Sequence, residues 1–270
     1  MDRTTLLGIV GGLACLVIGY ALEGGAVTLL WGTSAFIIVV GSTLFATIAS
    51  YPWDDIKRIP ALLRQAFMEQ EKFNLRETID KLVELSTIAR REGLLALEEK
   101  LPELDHDPFF RKGIEWVIDG VESDLLREML GLELDNMERH NNQGVRIFET
   151  AGGFSPTMGI IGTVMGLVLI LRDLSDPAHL GGAIATAFLA TFYGLFTANL
   201  VYLPIANKLR NKNLQMVHYR EMLIEGILSI QGGENPKNME QKLLAFIVNS
   251  DKQSNEKTAA NTNPAEQVSP

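Results

Sequence analysis

The sequence has few of the residues that enzymes and nucleic-acid-binding proteins use at their sites. It contains one cysteine, Cys15, so no disulfide can form within the chain. The histidines, His106, His140, His179 and His218, are widely spaced, and no zinc-ligand spacing, phosphate loop, nucleophile elbow or dinucleotide fingerprint is present. The formal net charge of −9, without clustered Lys and Arg, argues against nucleic-acid binding. We therefore predict a protein that is not an enzyme and holds no cofactor.

Charged residues are also absent from four long apolar stretches. These are Thr5–Leu22, Val27–Ala49, Phe154–Leu171 and Gly181–Ile205. A bilayer core requires about 20 apolar residues per helix, so each stretch predicts a transmembrane helix. The first is the shortest, and its alternative interpretation is a signal-peptide core. We favour a membrane helix, because the second stretch follows after only four residues and Gly8, Gly11 and Gly12 are typical of a packing face.

Basic residues in the connecting segments predict the orientation of these helices. The connection at 23–26 has no Lys or Arg, whereas Lys57, Arg58 and Arg64 follow the second stretch. Further basic residues follow the fourth stretch, at 208, 210 and 212. Since basic loops stay on the cytoplasmic side, both termini are predicted to be cytoplasmic. The predicted fold is an all-α membrane protein with four transmembrane helices and a helical cytoplasmic domain inserted between helices 2 and 3.

The pattern divides the chain into five parts. A first transmembrane hairpin covers 1–49, with helices at about 5–22 and 27–49, and a cytoplasmic helical domain covers 50–150. A second transmembrane hairpin covers 151–206, with helices at about 154–171 and 181–205. A cytoplasmic helical region follows at 207–250, and the polar composition of 251–270 predicts a disordered tail.

None of the four predicted membrane helices contains a carboxylate or a histidine. Ion pumps and channels commonly place such a group within the membrane. If ions cross the membrane here, the ionisable carrier must therefore come from another polypeptide.

The second hairpin instead carries small and hydroxyl side chains at helical spacing. One stripe contains Pro156, Gly159, Thr163 and Gly166, and the other contains Ala187, Thr191, Gly194 and Ala198. Small residues at this spacing allow helices to approach closely. The hydroxyls of Thr163 and Thr191 have two interpretations: bonds to their own helix backbones, or oxygen ligands for a hard cation such as sodium. Pro156 and Pro204 are interpreted either as simple kinks or as hinges.

The run PTMGIIGTVMG at 156–166, followed by ATFYGLFTANLVYLPIANKL at 190–209, resembles the flagellar motor stator A subunits, the group of MotA, PomA and MotP. The resemblance covers nearly the whole chain. The segment ARREGLLALE at 89–98 is similar to the part of this family that contacts the rotor. The resemblance implies an inner-membrane ring of five A subunits around two B subunits. Each B subunit, MotB-like or PomB-like, would supply a membrane aspartate and a peptidoglycan anchor, and cation flow would turn the ring against the rotor protein FliG.

Carried over position by position, the resemblance implies a role for nine residues. Arg90 and Glu98 would contact the rotor, Pro156 and Pro204 would act as torque hinges, and Thr163 and Thr191 would form the cation path beside Phe188, Gly159 and Gly166. Thr163 favours sodium, since proton-driven relatives often have alanine there, but a proton path also tolerates hydroxyls. One alternative is an ion-driven energiser of outer-membrane processes, of the ExbB or TolQ type. Another is a membrane scaffold without ion flow.

Overall fold

A computed structural model describes residues 3–68, 73–172 and 177–247, and these ranges are helical, with no strand. This confirms the predicted all-α class. The tail at 251–270, predicted to be disordered, lies outside the described residues.

The first part of the chain forms two apolar helices and two short ones. Helix α1 is Arg3–Leu22, and a single 3-10 turn, Val27–Leu30, precedes helix α2 at 33–50. A π-helical turn, Ile37–Gly41, interrupts α2. Helices α3, Trp53–Ile56, and α4, Ile59–Phe67, follow, and α4 has a proline in its first turn, where a missing N–H costs no helical hydrogen bond.

The next helices have clear sequence signals at their ends. Helix α5 is Leu75–Glu92, and the side chain of Asn74 caps it by accepting a hydrogen bond from the Glu77 N–H at 3.4 Å. It ends at Gly93, whose φ of +90° lies in the left-handed region that favours glycine. A 3-10 segment, Leu94–Leu104, leads to helix α6, Pro108–Ile118.

Two long helices and one short helix complete the described chain. Helix α7 is Ser123–Arg172, and helix α8 covers 177–231. Helix α8 contains a second π-helical turn, Ala198–Tyr202. Helix α9 covers 236–247.

Three helices in the described part of the chain are long and apolar enough to cross a membrane: Val27–Ser50, Ser123–Leu171 and Leu180–Gln231. They contain the second, third and fourth stretches predicted from the sequence. The first stretch forms a shorter apolar helix, Leu7–Leu22, so its membrane crossing remains a prediction.

The chain forms two compact units. Unit 1 consists of residues up to 71 together with 139–213, and unit 2 of 72–138 with the residues from 214 onward. Unit 1 therefore holds both predicted hairpins. The domain bounds proposed from the sequence remain a prediction.

Unit 2 is built around a large apolar core with one buried ion pair. Its largest fully buried side chains come from all of its longer helices and from the 3-10 segment: Ile79, Leu82, Leu85, Leu97, Leu104, Ile114, Leu126, Leu130, Met222, Leu223, Ile227 and Ile230. Asp107 caps α6 by accepting from the Phe110 N–H at 3.2 Å and also pairs with Arg220. The Tyr219 hydroxyl donates to Asp107 Oδ2 at 3.0 Å, and burial raises the pKa of Tyr219 to about 12. This network supplies the hydrogen bonds that a buried carboxylate requires.

Candidate functional site

The backbones of α7 and α8 touch within the second hairpin, because glycines face each other there. A Cβ atom added to Gly159 would lie 2.9 Å from the Ala190 carbonyl oxygen, and one added to Gly194 would lie 2.6 Å from the Ser155 carbonyl oxygen. Gly166 is similarly close, since its added Cβ would lie 2.6 Å from the Ala187 Cβ. The two stripes of small residues predicted from the sequence are therefore in direct contact, as their spacing indicates.

This close approach brings together the hydroxyls of Thr163 and Thr191, here called the hydroxyl pair. Their Oγ1 atoms are hydrogen-bonded to each other. Thr163 Oγ1 also lies 3.1 Å from the Gly159 carbonyl oxygen of its own helix and 3.1 Å from the Ala187 carbonyl oxygen of α8. Both threonines are half-buried. The bond to its own helix backbone predicted as one alternative is therefore present for Thr163, together with a bond between the two hydroxyls. Cation coordination, the other alternative, stays a prediction.

The hydroxyl pair concentrates oxygen atoms at one point between otherwise apolar helices. Two hydroxyl oxygens and the Gly159 and Ala187 carbonyl oxygens lie within hydrogen-bond reach. Each hydroxyl has only one hydrogen, so the Thr163 proton can satisfy only one of its three neighbours at a time. The remaining lone pairs are the kind of ligand that hard cations prefer.

A second pair of hydroxyls lies further along the same interface, and the sequence interpretation missed it. Ser155 is fully buried and donates to the Gly194 carbonyl oxygen at 3.0 Å. Its Oγ lies 2.6 Å from Thr197 Oγ1, and Thr197 also bonds the Tyr193 carbonyl oxygen at 2.7 Å. Ser155 immediately precedes Pro156 of the stripe on α7, and this position could have indicated its role from the sequence. Thr197 lies outside the stripe on α8, so the spacing gave no such indication.

Tyr193 holds the start of α2 against α8. Its hydroxyl donates to the Leu30 carbonyl oxygen at 2.6 Å and accepts from the Gly32 N–H at 3.0 Å. These are the backbone groups at the break between the 3-10 turn and α2. Tyr193 therefore satisfies backbone groups that the irregular turn leaves exposed. The 163-residue separation from Leu30 explains why no sequence pattern revealed this contact.

The two predicted hinge prolines occupy different surroundings. Pro156 lies inside the continuous helix α7, and its Cα would be 3.2 Å from a Cβ added to Gly194. Pro204 lies two residues after the end of the π-helical turn Ala198–Tyr202. Proline has no N–H for the carbonyl of Leu200 and its ring crowds that carbonyl, and a π turn is a common way to accommodate such a disruption.

Phe188 is the predicted path residue that is most exposed in the single chain. Its side chain is 68 % exposed, although it lies one turn before Thr191. It therefore does not contribute to the contact between α7 and α8, and it faces outward from the chain.

The predicted rotor contacts lie in unit 2, on either side of the turn at Gly93. Arg90 is exposed at the end of α5, and Glu98 is exposed on the 3-10 segment. Between them Leu95 is 72 % exposed, which the sequence interpretation did not single out. We call residues 90–99 the charged turn.

A cluster of ion pairs joins α5 to the 3-10 segment, and these two elements carry the charged turn. Glu103 pairs with Lys81 of α5, and its second oxygen lies 2.9 Å from Lys100 Nζ. Hydrogen bonds from Lys81 and then Lys100 lower the pKa of Glu103 to about 2. Glu84 completes the cluster, at 2.9 Å from Lys81 Nζ.

Within the described ranges, no three His, Cys, Asp or Glu side chains are grouped in a way that could hold a metal ion. The contacts described above between the apolar helices of unit 1 are instead made by hydroxyls and backbone groups. The fold and this site define a helical, multi-pass membrane protein whose second hairpin carries an oxygen-lined contact.

Comparison with known proteins gives the family. Residues 6–93 match the Motility protein A N-terminal family, and residues 103–222 match the MotA/TolQ/ExbB proton channel family. The Motility protein A of Bacillus subtilis is 37 % identical over 93 % of this chain and 93 % of that protein. The chemotaxis protein PomA of Vibrio alginolyticus is 34 % identical over 92 % of this chain and 96 % of that protein. The chain therefore belongs to the motility protein A family.

A solved structure agrees with this assignment. The chain is similar to one in the flagellar MotAB stator complex from Bacillus subtilis, with a TM-score of 0.86 and 37 % identity. The match covers 94 % of this chain and 99 % of that chain. The resemblance stated from the sequence motifs is thereby confirmed.

Proposed function

We propose that this protein is the A subunit of a flagellar motor stator, a non-enzymatic channel component that converts cation flow into torque. The observation that carries the proposal is the nearly full-length similarity to a chain of a MotAB stator complex. The ExbB or TolQ alternative is less favoured, because the relatives that match along the whole chain are motility proteins.

The proposed topology has four membrane helices, with both termini and the inserted helical domain in the cytoplasm. Three long apolar helices support it, and the shorter Leu7–Leu22 is the fourth. The basic residues after α2 and near the end of the α8 membrane segment support a cytoplasmic location for these ends. The membrane is the bacterial inner membrane, where a stator must be to use the ion gradient.

The proposed assembly has partners on both sides of the membrane. A B subunit would supply the membrane carboxylate that the apolar helices lack, and the name of the related MotAB complex supports such a partner. The A subunits would form a ring of five around two B subunits. The charged turn would contact the rotor protein FliG, since opposite charges can steer and register a transient contact.

The proposed coupling ion is sodium, and its path passes the hydroxyl pair. The two hydroxyls and the carbonyl oxygens of Gly159 and Ala187 provide oxygen ligands at one point. A carboxylate from the B subunit would supply the charge that neutralises the ion there. One elementary charge crossing about 100 mV releases about 2.3 kcal/mol, which is enough to bias two packings of similar energy. Pro156 and Pro204 are the proposed hinges between those packings.

Complementation of a stator-deficient bacterium tests the proposal. The chain is expressed with its B subunit, and swimming speed is measured across sodium concentrations with and without a protonophore. Speed should rise with sodium and survive the protonophore. Sodium-independent swimming that the protonophore abolishes would refute sodium as the ion, and absence of swimming with an assembled complex would refute the stator assignment.

Substitutions at the hydroxyl pair test whether the sodium path passes these two residues. Thr163→Leu should abolish motility while the complex still assembles, because the leucine removes an oxygen ligand and fills its place. The matched control is Thr186→Leu, since Thr186 is exposed and bonds its own helix at the Gly182 carbonyl oxygen, 3.0 Å away. Retained motility in Thr163→Leu would contradict the proposed path.

A further inference from the structure

A groove of about 420 Å³ opens between α1 and α8 in unit 1. The helices touch on one side of it, where a Cβ added to Gly12 would lie 2.5 Å from the Leu200 side chain. One turn earlier, Gly8 has no atom within 4 Å of an added Cβ. The helices therefore diverge from Gly12 towards Gly8, and the volume lies within the range of ligand pockets.

The lining of the groove is apolar on one wall and hydrogen-bonding on the other. Ile9, Leu200 and Pro204 supply the apolar wall. Asn207, Lys208 and Asn211 supply the polar wall, on the turn of α8 that follows Pro204. Residues at i, i+3 and i+4 are neighbours on a helix, so Asn211 lies beside both Asn207 and Lys208.

The chemistry of the polar wall favours an anion. Each asparagine has an amide NH₂ with two donors, and a lysine ammonium has three donors, so Lys208 can serve an anion besides its other contacts. No carboxylate is among the residues that line the groove. Basic pockets between membrane helices on the cytoplasmic side bind anionic lipid headgroups.

We propose that this groove binds one anionic phospholipid of the inner leaflet. Its phosphate lies against Lys208, Asn207 and Asn211, and the start of one acyl chain lies along Ile9 and Leu200. A phospholipid fits both walls at once, because its anionic and apolar parts are joined at the depth where the polar turn meets the apolar helix. The cytoplasmic placement of this end of α8 rests on the proposed function.

Native mass spectrometry of the A–B complex tests the proposal. The complex is released from nanodiscs that contain phosphatidylglycerol and phosphatidylcholine in equal amounts, and the lipids retained on the A-subunit oligomer are counted. Wild-type protein should retain phosphatidylglycerol in preference to phosphatidylcholine. Gly8→Leu, which fills the groove, and Lys208→Gln should each lower the amount of retained phosphatidylglycerol by about tenfold or more.

Two matched controls make the result specific. Gly11→Leu places the same side chain on the same helix, where an added Cβ also meets no atom within 4 Å, but Gly11 does not line the groove. Lys57→Gln removes a lysine whose side chain is 61 % exposed, elsewhere in unit 1. Both controls should retain phosphatidylglycerol like the wild type.

Three outcomes would overturn the proposal: equal retention of the two lipids, equal loss in a groove variant and its control, or unchanged binding in Lys208→Gln. Lys208→Gln keeps the test valid if Gly8→Leu fails to assemble. The lipid count does not depend on ion flow, and it can be made on the A-subunit oligomer whether or not a B subunit is bound. A failure of the stator assignment would therefore appear separately, as a missing A–B complex or absent motility.

Discussion

The contact between α7 and α8 makes a sharp prediction for Gly194→Ala. The added Cβ would lie 2.6 Å from the Ser155 carbonyl oxygen and 3.1 Å from the Gly159 Cα. Both are backbone atoms, which cannot rotate away as a side chain would. Extending 2.6 Å to an ordinary contact of at least 3.4 Å requires a displacement of about 0.8 Å. The two helices must therefore separate at this point.

The size of the effect follows from the cost of overpacking. Extra methyl groups in a well-packed interior cost about 1–3 kcal/mol. A free-energy change of that size alters an equilibrium by about 5- to 150-fold. The equilibrium constant for contact within the hydroxyl pair should fall by this factor, and the population in contact should fall with it, because that contact depends on the close approach of Gly194 and Gly159.

Disulfide trapping measures that population. The substitutions Thr163→Cys and Thr191→Cys replace two hydroxyls in contact with two thiols, and Cys15→Ser removes the only native cysteine. The cross-linking rate under a fixed oxidant should fall about 5- to 150-fold in Gly194→Ala. Gly153→Ala on α7 is the control, since its added Cβ meets no atom within 4 Å. An unchanged rate in Gly194→Ala, or an equal loss in the control, would refute the argument.

Three further predictions concern other contacts. Gly93→Ala places a side chain on a residue with a left-handed φ of +90°, so it should lower the free energy of unfolding by about 1–2 kcal/mol in denaturant titrations. Gly131→Ala on α7 is the control, since its added Cβ meets no atom within 4 Å, and it should not lower the free energy of unfolding. The pKa of Glu103 is lower in the folded state than its ordinary value of 4.5, so its ionised form stabilises the folded state at pH values above 4.5. This contribution is lost as the pH falls towards about 2. Glu103→Gln should therefore weaken the dependence of the melting temperature on pH between about 2 and 4.5. An unchanged pH dependence would contradict the stabilising pair of Glu103 with Lys81. Tyr193→Phe leaves two backbone groups unpaired at a cost of about 1–3 kcal/mol, so amide exchange at the start of α2 should accelerate; unchanged protection would exclude this role.

The two stripes could be predicted because each depends on local spacing. The small residues around Thr163 recur at intervals that keep them on one helix face, and those around Thr191 do the same. Such faces allow close helix packing, but spacing alone does not say that the two faces pack against each other. The caps of α5 were equally readable, because Asn74 and Gly93 act on neighbouring backbone groups.

The contacts that escaped prediction depend on residues distant in sequence. The π-helical turns Ile37–Gly41 and Ala198–Tyr202 change the backbone hydrogen bonding without changing the apolar pattern. Tyr193 has an ordinary place in an apolar helix, and only the folded chain brings its hydroxyl to the turn before α2. The exposure of Leu95 likewise depends on the path of the 3-10 segment, which has no strong periodic signal.

Sodium flux through the reconstituted A–B complex tests the central claim most directly. The complex is placed in proteoliposomes with a sodium-sensitive dye, and an imposed membrane potential drives the flux. We expect sodium entry in the wild type and its loss in Thr163→Val, which keeps the shape of the side chain but removes the oxygen that lies beside Thr191. Equal sodium flux in the two proteins, or proton flux without sodium flux in the wild type, would contradict it.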